Sequence, residues 1–126
     1  MQSRPRVLLA DDHPGVLKAL ERVLSLECDV VGVVADGNEV TAAAARLQPV
    51  VTVVDLNLPN LSGLEICRQI VQTNPRAKVF LMTVTIDDWL KSAALTAGAA
   101  GCFPKLEAGH TMIEAIQGAW AEGARG

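Results

Sequence analysis

Three observations predict an α/β protein, a parallel sheet of five strands wrapped on both faces by five helices. Short apolar runs alternate with helical patterns along the whole chain, and the connections between them are short, as successive βα units require. The run from Val50 to Val54 shows no alternation of polar and apolar residues, so it reads as a strand covered on both faces. That run ends in Asp55, followed by a loop containing Pro59 and Gly63, and open α/β sheets keep their ligand sites at such strand ends.

Composition fits one domain. The 126 residues are 50% hydrophobic and 20% charged, and a chain of this size buries about two-thirds of its unfolded surface. A net charge of −3 lacks the basic footprint of a nucleic-acid binder, so DNA contact would have to come from residues outside this chain. No apolar run approaches the ~18 residues of a membrane span, and Met1 to Arg6 does not lead into a signal-peptide core. A cytoplasmic location is the expectation. Cys28, Cys67 and Cys102 are widely spaced and form no metal-ligand pattern, so they read as reduced thiols serving as small core residues.

Taken in order, Arg6 to Ala10 is a strand that runs into Asp11, Asp12, His13 and Pro14. The helix that follows places Val16, Leu17, Leu20, Val23 and Leu24 on one face, with Asp12 or His13 as its N-cap and Pro14 in its first turn. Capping accounts for one aspartate of the adjacent pair and leaves the other over. Asp29 to Ala35 is the second strand, Asp36-Gly37-Asn38 the turn out of it, and Val40 to Leu47 an alanine-rich helix ended by Gln48 and Pro49. After the central strand and its loop, a helix runs from about Leu64 to Thr73 and stops at Asn74-Pro75. Lys78 to Thr83 is the fourth strand, Asp88 to Ala97 the fourth helix with Gly98 as its left-handed cap, and Ala99 to Pro104 a weaker fifth strand. The last helix spans about Ala108 to Glu122, with Met112, Ile113, Ile116, Ala119 and Trp120 turned inward or toward a partner, and residues 123–126 read as the start of a linker. His110 reads as a surface residue of the first turn, and Trp89 and Trp120 as partial core.

In a parallel sheet all strand ends share one edge. Asp11 and Asp12, Asp55, Thr83 and Lys105 therefore converge. Three carboxylates this close repel one another, and a hard divalent cation relieves them; oxygen-only ligands with room for water and phosphate suit Mg²⁺. Lys105 adds a movable positive charge and Thr83 a hydroxyl donor, completing the electrostatic parts for phosphoryl transfer onto a carboxylate, with Asp55 the acceptor.

These residues lie in L-L-A-D-D-H-P, V-V-D-L-N-L-P-N-L-S-G-L-E, F-L-M-T and G-A-A-G-C-F-P-K, with intervals of 43, 28 and 22 residues between Asp12, Asp55, Thr83 and Lys105. In motif and spacing the chain, from Arg6 to Glu122, resembles the receiver domain of two-component response regulators. D-D-H-P followed by V-V-G-x-x-x-D-G resembles the NarL/FixJ subfamily, whose receivers usually precede a LuxR-type helix-turn-helix. The resemblance implies a flavodoxin-like (βα)5 fold of strand order 2-1-3-4-5, with a receiver over residues 1–122. It implies that Asp55 is phosphorylated by a sensor histidine kinase or a small phosphodonor. Mg²⁺ would be held by Asp12, Asp55 and the backbone carbonyl of Asn57, with Asp11 acting through a bound water. Thr83 and Lys105 would bind the phosphoryl group, and Asn57 and Thr85 would flank the path of the hydrolytic water. A homodimer through the fourth helix, fifth strand and fifth helix, or through the first and fifth helices, is a further expectation, as is a fragment of a longer transcription regulator.

Two positions depart from the family pattern. Cys102 stands where a Tyr or Phe usually couples to the threonine, and Phe103 cannot take its part because neighbouring strand residues face opposite ways. Lys105 is followed by Leu106 where a proline is usual, while Pro104 precedes it; an edge strand tolerates that proline. Other readings are a degenerate receiver that binds partners without phosphate, a D-x-D aspartyl-phosphate phosphotransferase, whose second carboxylate position holds Asn57, and a flavodoxin-like cofactor binder, which would need a Gly- or hydroxyl-rich first loop.

Overall fold

The computed structural model describes residues 4–105 and 109–125, with side chains for 4–105 and 111–121. The element order is β1 (Arg6–Ala10), α1 (Pro14–Leu24), β2 (Asp29–Val34), α2 (Gly37–Leu47), β3 (Val51–Asp55), α3 (Gly63–Thr73), β4 (Lys78–Thr83), α4 (Asp88–Ala97), β5 (Gly101–Pro104) and α5 (Gly109–Arg125). All strand pairs are parallel, in the order β2-β1-β3-β4-β5. This is the flavodoxin-like (βα)5 sandwich expected from the sequence.

Alternation along the strands divides the core into two layers. Val7, Leu9, Val51, Val53, Phe80, Met82 and Phe103 pack with Leu20 and Leu24 of α1 and Met112 and Ile116 of α5. Their neighbours Leu8, Ala10, Val54, Val79 and Leu81 face Val40, Ile66, Ile70 and Ala94 of α2, α3 and α4. β3 is buried at every position, as the unbroken apolar run required. Cys28 and Cys67 are buried and Cys102 half-buried, all as free thiols.

Helix starts follow local capping chemistry. His13 is the N-cap of α1, its ring Nδ1 accepting from the Val16 N–H at 3.2 Å, with Pro14 in the first turn. Asp36, Ser62 and Asp87 cap α2, α3 and α4 through their side-chain oxygens. Gly98 ends α4 with φ of 93°, the left-handed conformation expected for it.

Several expected boundaries move. α2 begins at Gly37, not Val40, because the Asp36 cap accepts from Asn38 N–H and turns the supposed loop into the first helical turn. β5 begins at Gly101, since Ala99 N–H is taken up by Ala94 O in closing α4. α5 continues past Glu122 to Arg125, so residues 123–125 are helical rather than linker; one glycine costs a helix only about 1 kcal/mol, and Ala124 and Arg125 are strong helix formers. Trp89 is not partial core: it is 70% exposed, while Trp120 is half-buried. The expected start of the last helix at Ala108 and the residue Leu106 lie outside the described residues, and the side chain of His110 outside the described side chains.

Candidate functional site

Backbone hydrogen bonds that continue beyond the strand ends hold each acidic or basic residue in place. Asp11 N–H donates to Val34 O at 3.0 Å, Leu56 N–H to Met82 O at 2.8 Å, and Lys105 N–H to Thr83 O at 2.7 Å. The last of these shows how Pro104 is accommodated. In a parallel ladder a carbonyl accepts from the residue that follows its register partner; Thr83 pairs with Pro104, so the donor to Thr83 O is Lys105, and Pro104 falls where the ladder needs no N–H. That ladder bond ties Lys105 to β4.

Asp11 and Asp55 are buried and Asp12 is exposed, and one carboxylate oxygen from each lies within 4.8 Å of the others. Asp55 Oδ1 accepts from Asn57 N–H at 3.1 Å, and its Oδ2 accepts from Lys105 Nζ at 2.9 Å. Lys105 Nζ also stands 3.0 Å from Asp11 Oδ2. That second approach is a charge contact off the hydrogen-bonding direction, so this fully buried oxygen lacks a directed donor among the described residues. Asp11 Oδ1 accepts from His13 N–H at 2.8 Å. With His13 capping α1, Asp12 caps no helix and pairs with no cation among the described residues, and it is the surplus carboxylate of the pair.

Burial by itself would lower the Lys105 pKa, but its hydrogen bond to Asp55, its close approach to Asp11 and the charges of both raise it above the ordinary lysine value. The ammonium is thus retained at neutral pH, leaving one positive charge among three carboxylates. A second positive charge would complete the corner, and hard oxygen donors, one of them buried without a directed partner, fit a divalent cation such as Mg²⁺.

The remaining expected site residues lie around this corner. Asn57 is exposed and orients Asp55 through its amide. Thr83 is buried at the end of β4, and its hydroxyl donates to Thr85 O at 3.2 Å. Thr85 is exposed. Cys102 does not join the cluster; it packs with the α2, α3 and α4 layer, whereas Phe103 lies in the other layer, in edge contact with Phe80 at 5.3 Å between ring centroids. A groove of about 250 Å³ beside Cys102 is lined by Ile86, Lys91, Ala94 and Leu95 among others.

Gly63 deserves its place beneath the site, since a Cβ there would lie 2.8 Å from Asp55 O and from Leu56 Cα. Sequence reasoning missed the tie between the β3–α3 loop and the start of α2, where Asn60 Nδ2 donates to Asp36 Oδ2 at 2.8 Å. The D-G pair was the only signal for it.

The chain is 36% identical over 115 residues to response regulator GacA of Pseudomonas protegens, covering 89% of this chain and 54% of that protein. It is 31% identical over 116 residues to the transcriptional regulatory protein YxjL of Bacillus subtilis, covering 90% and 53%. The chain thus spans about half the length of the curated relatives it matches. Among solved structures, a LuxR-family two-component response regulator from Aurantimonas sp. SI85-9A1 superposes with a TM-score of 0.88 at 30% identity, over 95% of this chain and 87% of that one. The response regulator domain of Thermotoga maritima CheB superposes with a TM-score of 0.85 at 25% identity, over 92% and 96%. Residues 7–117 match the response regulator receiver domain, and the chain belongs to that family.

Proposed function

We propose that this receiver takes a phosphoryl group onto Asp55 from a sensor histidine kinase, in a Mg²⁺-dependent step, and passes the change to α4 and β5. The observation that carries this reading is the convergence of Asp11, Asp12 and Asp55 within 4.8 Å, with Lys105 Nζ bridging two of them. Asp12, Asp55 and the Asn57 carbonyl would hold the cation, with Asp11 acting through water. When bound, it neutralises the carboxylates and the charge on the transferring group.

The chain's own residues do the rest. An Asp55 oxygen attacks phosphorus, the bond from phosphorus to the donor's imidazole nitrogen breaks, and that nitrogen leaves with the electron pair and is then protonated by solvent. Asp55 is left as an acyl phosphate. Lys105, charged and held between two carboxylates at rest, can move its ammonium to a phosphoryl oxygen. Thr83 must turn its hydroxyl away from Thr85 O to donate to the same group, and this rotation draws on the loop from Val84 to Asp87. Such coupling biases a pre-existing equilibrium at α4 and β5. Thr85 and Asn57, both exposed beside the site, would set access of the water that removes the group.

On this reading the protein is a signalling module rather than a turnover enzyme. The length of its relatives favours a longer regulator in which a LuxR-type domain contacts DNA, with a linker after the receiver. Such a regulator would act in the cytoplasm, where kinase and DNA meet, and self-association through α4, β5 and α5, or α1 and α5, would align two outputs. Among the described residues no helix is long and apolar enough to cross a membrane. The test is labelling of the full chain by acetyl phosphate with and without Mg²⁺. A Mg²⁺-dependent, hydroxylamine-labile adduct on Asp55 is expected, and its absence would leave the phosphate-independent interaction module as the better account.

A further inference from the structure

The β3–α3 loop, residues 56–62, carries the Asn57 amide that orients Asp55 and the carbonyl assigned to the cation. It is held at one end by Leu56, whose N–H donates to Met82 O and whose carbonyl accepts from Gly63 N–H at 2.9 Å. Its far side leans on α2. Asn60 Nδ2 donates to Asp36 Oδ2 at 2.8 Å, and Gly37 N–H donates to Pro59 O at 3.0 Å. A Cβ at Gly37 would fall 2.7 Å from Leu61 O and 2.9 Å from Pro59 O, so only glycine lets helix and loop meet this closely. Asn60 meanwhile adopts φ of 73°, a left-handed conformation that costs a non-glycine residue energy and is maintained where surrounding contacts hold it.

Asp36 therefore does two jobs with two oxygens. Its Oδ1 caps α2 through Asn38 N–H at 2.8 Å, which any short polar cap could do. Its Oδ2 is spent on the loop, which capping does not require. We infer that Asp36 and Asn60, with Gly37 beneath them, form a clamp that positions the Asn57 segment for cation binding and acceptor alignment at Asp55. The inference rests on the phosphoacceptor reading above and assigns a positioning role to residues that touch neither cation nor phosphate.

Two variants separate the clamp from the fold. Asn60→Gly removes the amide and relieves the left-handed backbone, so folding is not the casualty. Asp36→Ser keeps a capping oxygen for Asn38 N–H but is too short to span to Asn60. In the full chain, Mg²⁺ affinity is read by calorimetry, acetyl phosphate labelling is read against Mg²⁺ concentration, and hydrogen exchange is read at residues 56–62. Each variant is expected to weaken Mg²⁺ binding about three- to tenfold, somewhat less than loss of a direct partner of a metal ligand. The labelling rate at saturating Mg²⁺ should stay within about twofold, because the acceptor and Lys105 are untouched. Exchange in the loop should quicken, melting temperatures should hold, and the double variant should be no worse than the worse single one, as for two halves of one contact. Wild-type Mg²⁺ affinity and loop exchange in both variants would overturn the clamp, as would fully additive effects. If the wild type itself neither binds Mg²⁺ nor takes label, the phosphoacceptor reading fails instead, and loop exchange in the variants still decides whether the clamp orders the segment.

Discussion

The acidic corner lies at the carboxyl ends of the strands and the α4–β5 face lies along the edge strand, and the two are built on different terms. In the corner, Asp11 and Asp55 are buried, each strand end is extended by a backbone hydrogen bond, and Lys105 reaches two carboxylates at once. On the α4–β5 face, a groove of about 250 Å³ opens beside a half-buried Cys102, and Leu95 and Trp89 are 78% and 70% exposed. A well-packed region with few voids holds one geometry, while an underfilled one can repack at little cost. On the proposed function the difference would separate chemistry from readout, a fixed corner to take the phosphoryl group and a face with room to change in response.

The largest effect should come from removing the proposed acceptor. Asp55→Asn keeps the side-chain shape, and its carbonyl oxygen can still accept from Asn57 N–H, so the fold should persist. Labelling from acetyl phosphate, followed as a mass increment, should be lost completely. Label retained on the variant would move the acceptor to another residue and remove the corner's claim to the chemistry.

Next in size is Lys105→Ala. It leaves two buried carboxylates without a counter-charge, and loss of one partner in such an arrangement should cost roughly 2–4 kcal/mol in urea unfolding at neutral pH. Because the vacated charge can be replaced by a divalent cation that binds only the folded state, Mg²⁺ should stabilise the variant more than the wild type. Equal stabilisation of the two would mean that cation and ammonium do not share the same carboxylates.

Most of the corner was legible in the sequence because parallel topology turns distant positions into neighbours. Once Ala10, Asp55, Thr83 and Pro104 are recognised as strand ends, Asp11, Asp55 and Lys105 fall together at one edge of the sheet. What could not be read was the division of labour within the D-D-H-P run: the His13 ring took the capping role, and only the backbone trace shows that this leaves Asp12 over. The clamp at Asp36 was equally hidden, since a hydrogen bond to Asn60 depends on two loops meeting and neither loop has a periodicity to betray it. Trp89 was misread for a related reason. A large aromatic on an amphipathic helix is usually drawn inward, but the buried face of α4 runs through Leu90 and Ala94, and Trp89, one residue before Leu90, lies off it.

A smaller effect probes the packed layer behind the face. Burial, with a lesser contribution from neighbouring Cys102, pushes the Cys67 thiol up to about 11 from an ordinary value of 9.0. The thiol form is therefore favoured in the folded state. Stability from this source is complete below pH 9, falls as the unfolded chain ionises above it, and is lost as pH passes through about 11. Urea unfolding between pH 8 and 11 should show a decline that is shallower in Cys67→Ala, whatever that variant's absolute stability. At pH 7–8 a thiol reagent should modify the half-buried Cys102 well before Cys67. Equal rates at both sites would show that the layer beneath the groove is as open as the groove itself.

The smallest and most specific effect concerns the groove. Cys102 cannot supply the ring that would link Thr83 to the α4–β5 face, and Phe103, in edge contact with Phe80 in the opposite layer, cannot swing round to replace it. Cys102→Tyr places a ring where about 250 Å³ is already available, so its cost in stability should stay within about 1 kcal/mol, below the usual penalty for overfilling a packed core. On titration with beryllofluoride, amide shifts around Thr83 should be similar in both proteins, because the corner is the same. Shifts across α4 and β5 should be larger in the variant, where rotation of the ring carries the change outward. If the wild type already shows the larger response, the coupling runs through the backbone of residues 84–87 without need of a ring, and the looseness of the face would be its means of moving rather than a deficit.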